Sequence, residues 1–161
     1  MIEKLLNIKK VNYSSNLNGN NLKQKIEDVF TQSTLSMGGK FISQNKFTAY
    51  DRWSIMSWYI PNFKRKSAYL EGEILDPDKG TLIKLNFKPN TMLSVFPILS
   101  VLIGIITTIM AESTQFLIIG SFFILVGILY YSIGIFSRNR LQNNFEKNLD
   151  LQKVLGELKV E

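Results

Sequence analysis

Few side chains in this sequence are equipped for chemistry, and the residue types that are missing narrow the field first. The chain contains no His and no Cys, so imidazole acid–base catalysis, thiolate chemistry, disulfides and Cys/His zinc sites are excluded together. Glu71 and Glu73 stand two apart. On a strand this spacing puts both carboxylates on one face, where a pair can hold a cation or divide acid and base work. With only Gly72 between them and no third ligand apparent, they read as a solvated strand face. Met37-Gly38-Gly39-Lys40 is the nearest approach to a phosphate-binding glycine loop. It lacks the required spacing and the Ser or Thr after Lys, and is expected to be a turn before a strand.

The densest basic run is Lys64, Arg65 and Lys66, close in sequence to Trp53, Trp58 and Tyr59. Aromatic and basic residues together bind single-stranded nucleic acid or anchor at a bilayer interface. In a chain that carries its own membrane spans the second use is expected, with these three residues as lipid contacts and no nucleic-acid partner. The plain alternative is an aromatic core beside a solvated basic loop.

The elements that must position these residues are divided by hydropathy. Two stretches, 92–110 and 116–136, carry no charged residue. At 1.5 Å per residue, a bilayer core of about 30 Å needs roughly 20 apolar helical residues, so both are expected to span. Only Ala111 to Gln115 separate them, which makes the helices antiparallel neighbours and puts both termini on one side. Lys84 and Lys88 precede the first span and Arg138 and Arg140 follow the second, whereas the connector holds only Glu112. The positive-inside rule then places both termini in the cytoplasm of a multi-pass inner-membrane protein. Ser100, Gly104 and Thr108 recur every four residues on the first span, and Gly120, Gly127 and Gly134 every seven on the second. Small residues let helix backbones approach, so these stripes are expected to pack within the hairpin or between copies. Pro97 predicts a mild kink near the interface. No ionisable group lies inside either span, which argues against transport by this chain alone.

Before the hairpin, residues 1–90 read as a cytoplasmic α+β domain. Leu22, Ile26, Val29 and Phe30 fall at helical spacing after an N-cap at Asn20 or Asn21. A short strand is expected over 8–13, and further strands in KFIS, KFTAYD, RWSIMSWYI, SAYLEGEIL and TLIKLNF. Asp76-Pro77-Asp78-Lys79-Gly80 should join the last two as a hairpin. The fold class is therefore α+β: a small antiparallel β-meander with one amphipathic helix, then a transmembrane helical hairpin over 91–136, then a cytoplasmic amphipathic helix over 137–161. In that tail Leu141, Phe145, Leu149, Leu151, Val154, Leu155 and Leu158 repeat, continuing the second span onto the sheet, the membrane or another copy.

The segments GKFISQNKF, AYLEGEIL and TLIKLNFKPN together resemble those of uncharacterised small bacterial membrane proteins with a helix and β-meander before a two-span hairpin. A more distant similarity is to membrane-attached bacterial domains of pleckstrin-homology type, although here the domain precedes the hairpin. Neither resemblance implies catalytic residues or a cofactor.

Charge completes the reading. Residues 1–91 hold fourteen Lys and Arg against eight Asp and Glu, and a basic domain tied to a bilayer faces an anionic leaflet. The expectation is a non-enzymatic interaction module binding anionic lipid heads or a protein partner, with homo-oligomers also open. The alternative is an accessory subunit of a transporter or secretion complex.

Overall fold

The computed structural model describes residues 2–32, 37–52, 66–75 and 81–154. Residues 9–153 supply one six-stranded antiparallel sheet whose strand order is β2-β3-β4-β5-β1-β6. A short helix α1 (Ile2–Leu5) precedes β1 (Lys9–Ser15), and α2 (Gly19–Thr31) follows it. Strands β2 (Met37–Phe41), β3 (Lys46–Asp51), β4 (Ala68–Leu75) and β5 (Thr81–Pro89) form the meander. Helices α3 (Thr91–Ile109) and α4 (Thr114–Leu149) follow, and β6 (Gln152–Lys153) closes the edge beside β1. This is the expected α+β architecture followed by an apolar helical hairpin.

Strand burial alternates strictly along β4 and β5, as period-2 side chains require when one face is covered. The covered face carries Tyr13, Phe47, Ala49, Leu70, Ile74, Ile83, Leu85 and Phe87, all buried. It is roofed by Leu22, Ile26, Val29 and Phe30 of α2 and by Leu141, Phe145 and Leu149 of α4. Phe47 lies at the centre, stacked on Phe145 at 5.7 Å with rings 16° apart and tilted against Phe30 and Phe41. Gly72 is required beneath it, because a Cβ there would run into the Phe47 ring.

Several boundaries differ from the sequence reading. The first strand is Lys9–Ser15 rather than 8–13, because β1 pairs with β5 through the full register from Lys9↔Phe87 to Ser15↔Thr81. The N-cap of α2 is Asn18, whose side chain accepts from the Asn21 N–H at 3.0 Å; the cap thus lies two residues before the first expected one. Met37-Gly38-Gly39-Lys40 is part of β2 itself, not a turn before it. A Cβ on Gly39 would stand 2.5 Å from the Thr48 carbonyl and 2.7 Å from the Phe30 ring, so the glycine serves close packing of α2 on the sheet. In the tail, the helix stops at Leu149 with Asp150 in the left-handed conformation (φ 52°). Leu151 and Val154 therefore leave the helical stripe, and Val154 N–H donates to the Asn12 carbonyl across the sheet edge. Leu155 and Leu158, the strand expected in RWSIMSWYI and the turn at 76–80 lie outside the described residues, although β4 and β5 pair as that turn requires.

Helices α3 and α4 are long and apolar enough to cross a membrane. Helix α4 is 36 residues, about 54 Å at the α-helical rise. Its first part runs along α3, and its last part runs across the sheet.

Candidate functional site

One face of α4 makes both contacts, and its residue sizes follow what it meets. Along α3 the inward positions are Gly120, Gly127 and Gly134; across the sheet they are Leu141, Phe145 and Leu149. Where two helices touch, backbone approach requires the absence of side chains. A Cβ on Gly127 would stand 2.6 Å from Val101 Cγ2 and 2.8 Å from the Pro97 carbonyl oxygen, and one on Gly134 would stand 3.0 Å from the Leu93 carbonyl oxygen. Gly104 and Gly120 face each other, each within 3 Å of the other's carbonyl if given a Cβ, and Thr108 Oγ1 lies against Gly120. Ser100 Oγ donates across the seam to the Phe123 carbonyl at 2.8 Å. All six small residues of the two stripes therefore lie at the α3–α4 contact, inside the hairpin.

Among the described residues the hairpin joins the sheet at two points. The first is Asn90, buried between β5 and α3. Its side-chain oxygen accepts from Met92 N–H at 2.9 Å, capping α3, and its amide donates to the Lys66 carbonyl at 2.9 Å. Its own N–H donates to the Ser67 carbonyl at 2.9 Å. The second is the uninterrupted helix α4. Of the three basic residues singled out by sequence, Lys66 stands at this junction, with Nζ 5.3 Å from the Tyr50 ring centre and its N–H donating to Tyr69 Oη at 3.1 Å. Lys64 and Arg65 lie outside the described residues.

Among the described residues no helix lies over the opposite face of the sheet. Register places Lys40, Thr48, Glu71, Asn86 and Lys10 in one row across the strands, and Lys46, Glu73, Lys84 and Asn12 in the next. A shallow groove of about 590 Å³ runs over these rows, with Ile42 at one end. Glu71 and Glu73 do share this face, and each is ion-paired: Glu71 with Lys88, and Glu73 with Lys46 at 3.4 Å. Their charges are thereby neutralised by neighbours. Among the described residues no three potential metal ligands of the Asp, Glu, His or Cys types stand together.

The groups that sequence reasoning missed lie under the sheet. Tyr13, fully buried, donates its hydroxyl to Glu146; Gln142 Nε2 donates to Tyr13 Oη at 3.0 Å and to Glu146 Oε1 at 2.6 Å. Lys153 of β6 pairs with Glu146 at 3.1 Å. Burial pushes the Tyr13 phenol well above its ordinary range, and the bond to Glu146 pushes it further. Burial works to raise the Glu146 carboxyl too, but the bonds from Tyr13, Gln142 and Lys153 outweigh it and hold the group below its usual value. The signal available in the sequence was Gln142 and Glu146, four apart on a stripe otherwise made of Leu and Phe. A polar pair at i, i+4 beside an apolar stripe marks a place where the covering layer offers partners. Arg140 and the buried Asp51 form a second tie, 3.4 Å apart, between α4 and β3. Both are structural locks between helix and sheet.

No family model, curated protein or solved structure matches this chain, so the assignment rests on the geometry of its own residues.

Proposed function

We propose that this chain is a membrane-anchored, non-enzymatic interaction module. Its hairpin crosses the bilayer, and the sheet is held at the cytoplasmic surface with one face presented to a protein partner. The observation that carries the reading is the unbroken passage of α4 from apolar hairpin to sheet core. The helix leaves no hinge between the part that would lie in lipid and Phe145, which is fully buried under the sheet.

Three further features support it. Both helices expose large apolar residues around most of their surface, including Leu99, Ile106, Ile118, Phe122, Leu125 and Leu129. Such a surface is far beyond what a water-soluble domain leaves uncovered. Lys66, Lys88, Arg138 and Arg140 gather at the sheet end, whereas the connector at the other end carries Glu112 alone, as expected for cytoplasmic termini. The sheet face opposite the core is polar and cationic in balance among the described residues, carrying Lys10, Lys40, Lys46, Lys84 and Lys88 against Glu71 and Glu73.

The test is site-specific photocrosslinking of the full chain in intact membranes. A photoreactive residue at Asn86, in the middle of the free face, should give a discrete protein adduct. The same residue at Gln24, exposed on α2 at the other side, should not. Equal adducts from both positions, or none from Asn86, would overturn the docking assignment.

A further inference from the structure

An apolar groove of about 300 Å³ lies between the two hairpin helices, lined by Pro97, Val101 and Leu102 of α3, by Gly127, Ile128 and Tyr131 of α4, and by Leu5 of α1. It begins where Gly127 draws the helices together and rises toward the sheet. At its upper end Tyr131 lies seven residues, about two helical turns, before Arg138 on α4. Leu5 is followed by the turn whose Asn7 carbonyl accepts from Arg138 Nη1 at 3.0 Å. Lys9, the first residue of β1, follows that turn and faces α4. Arg138 and Lys9 thus follow the groove's lining residues Tyr131 and Leu5 along their elements, on the side of the sheet.

Among the described residues neither cation forms an ion pair. Arg138 also donates through Nε and Nη2 to the Asn139 side-chain oxygen, at 3.2 and 2.8 Å, a neutral acceptor. Among the described residues neither Lys9 nor Arg138 has a carboxylate partner. The Lys9 ammonium is held below its ordinary value, first by burial and then by repulsion from Arg138 and Lys153. Glu146, the acid it feels, is already paired with Lys153. A local excess of positive charge at the top of an apolar slot has a matching ligand chemistry.

We propose that this site holds one anionic phospholipid, its phosphate between Lys9 and Arg138 and one acyl chain in the groove down to Gly127. The dimensions agree: from Gly127 to Arg138 is eleven residues of one helix, or about 16 Å, and one leaflet of the hydrocarbon core is about 15 Å deep. Burial of the acyl chain would close the slot that Gly127 opens, and the phosphate would supply the anion that the two cations lack. The proposal rests on the membrane reading above and adds a defined lipid to it.

The test uses the full chain, purified in mild detergent, with titration of phosphatidylglycerol or phosphatidylcholine followed by native mass spectrometry and by thermal midpoint. Phosphatidylglycerol should bind about thirtyfold more tightly, the equivalent of about 1 kcal/mol for each of two cations. Lys9→Gln with Arg138→Gln should abolish that preference, whereas Lys25→Gln should keep it. Because Arg138 also holds the Asn7 turn, Lys9→Gln alone serves as the fold-safe variant and should lose about fivefold. Ser132→Trp, at an exposed position beside the groove, should weaken both lipids by blocking the chain. Equal affinity for the two lipids, an unaltered preference in Lys9→Gln, or occupation of the slot by a second copy of the chain would overturn the proposal. Membrane pelleting of the same variants under alkaline carbonate separates this failure from failure of the anchor itself: a chain that pellets without lipid preference retains the anchor and loses only this site.

Discussion

Replacement of Phe145 by Ala tests whether the second apolar helix is also the roof of the sheet. Phe145 is fully buried and stacks on Phe47, which itself covers Gly72. Deleting a buried Phe ring costs about 3–5 kcal/mol, the transfer term plus the cavity that incomplete relaxation leaves. Collapse is hindered here because Phe30, Phe41 and Phe145 hold Phe47 from three directions. Against a typical domain stability of about 5–15 kcal/mol, the loss should leave the sheet folded but loosened. Hydrogen exchange on the detergent-solubilised full chain is the assay. Amides of β3, β4 and β5 should exchange about a hundredfold to a few thousandfold faster, while those in the middle of α3, which Phe145 does not touch, should keep their protection. Asn143→Ala, at an exposed position of the same helix, should change neither. Unchanged exchange in β3 to β5 of Phe145→Ala would refute the claim that α4 completes the core. The same reasoning predicts that residues 1–90 expressed alone will not form a stable sheet, since Leu141, Phe145 and Leu149 are missing from it.

Other perturbations test the remaining contacts. Gly127→Leu should lower the detergent thermal midpoint, at a cost of about 1–3 kcal/mol, because the Pro97 carbonyl oxygen cannot move aside; Ile128→Leu, 55% exposed, should be nearly silent, and equal effects would make the glycine spacing accidental. Asn90→Ala removes the α3 cap and the tie to Lys66, and should cost about 1–2 kcal/mol, read as faster exchange at Ala68 and Met92; unaltered exchange there would refute the joint. The folded Glu146 carboxyl lies below its unfolded value, so its contribution is complete above about pH 4.3 and is lost as pH falls through the folded pKa. Glu146→Gln should flatten the fall in thermal midpoint between about pH 5 and 3, and an unchanged acid limb would remove Glu146 from the ledger of stabilising groups. For topology, a cysteine at the exposed Ser113 should react with an impermeant maleimide in intact cells and one at the exposed Asn16 should not. Ser15 is buried and would stay unlabelled on either side.

By itself, the sequence determines what composition and period control. The uncharged runs over 92–110 and 116–136, the glycines at 120, 127 and 134, and the alternation of Ile83, Leu85 and Phe87 are local patterns whose spacing states which face is apolar or small. They specify two apolar helices, their antiparallel pairing, and a half-covered sheet before them. The same locality explains the small errors. Whether a helix is capped by Asn18 or by Asn20 depends on which side chain reaches a free N–H, and Gly38 and Gly39 look like a turn until Tyr50 is placed against the first and the Phe30 ring over the second.

Tertiary structure decided everything that depends on distant partners. The tail could lie on lipid, on another copy or on the sheet; only the assembled fold brings Leu141, Phe145 and Leu149 against Phe47 and closes β6 on β1. It also brings Tyr13 to Gln142 and Glu146, and Asn7 to Arg138, each more than 120 residues away in the chain. These pairings join residues at opposite ends of the sequence, across an intervening hairpin, where no local period can encode them. The sheet and the apolar hairpin share one continuous helix. Which residues meet along it was settled by the path of that helix rather than by any motif.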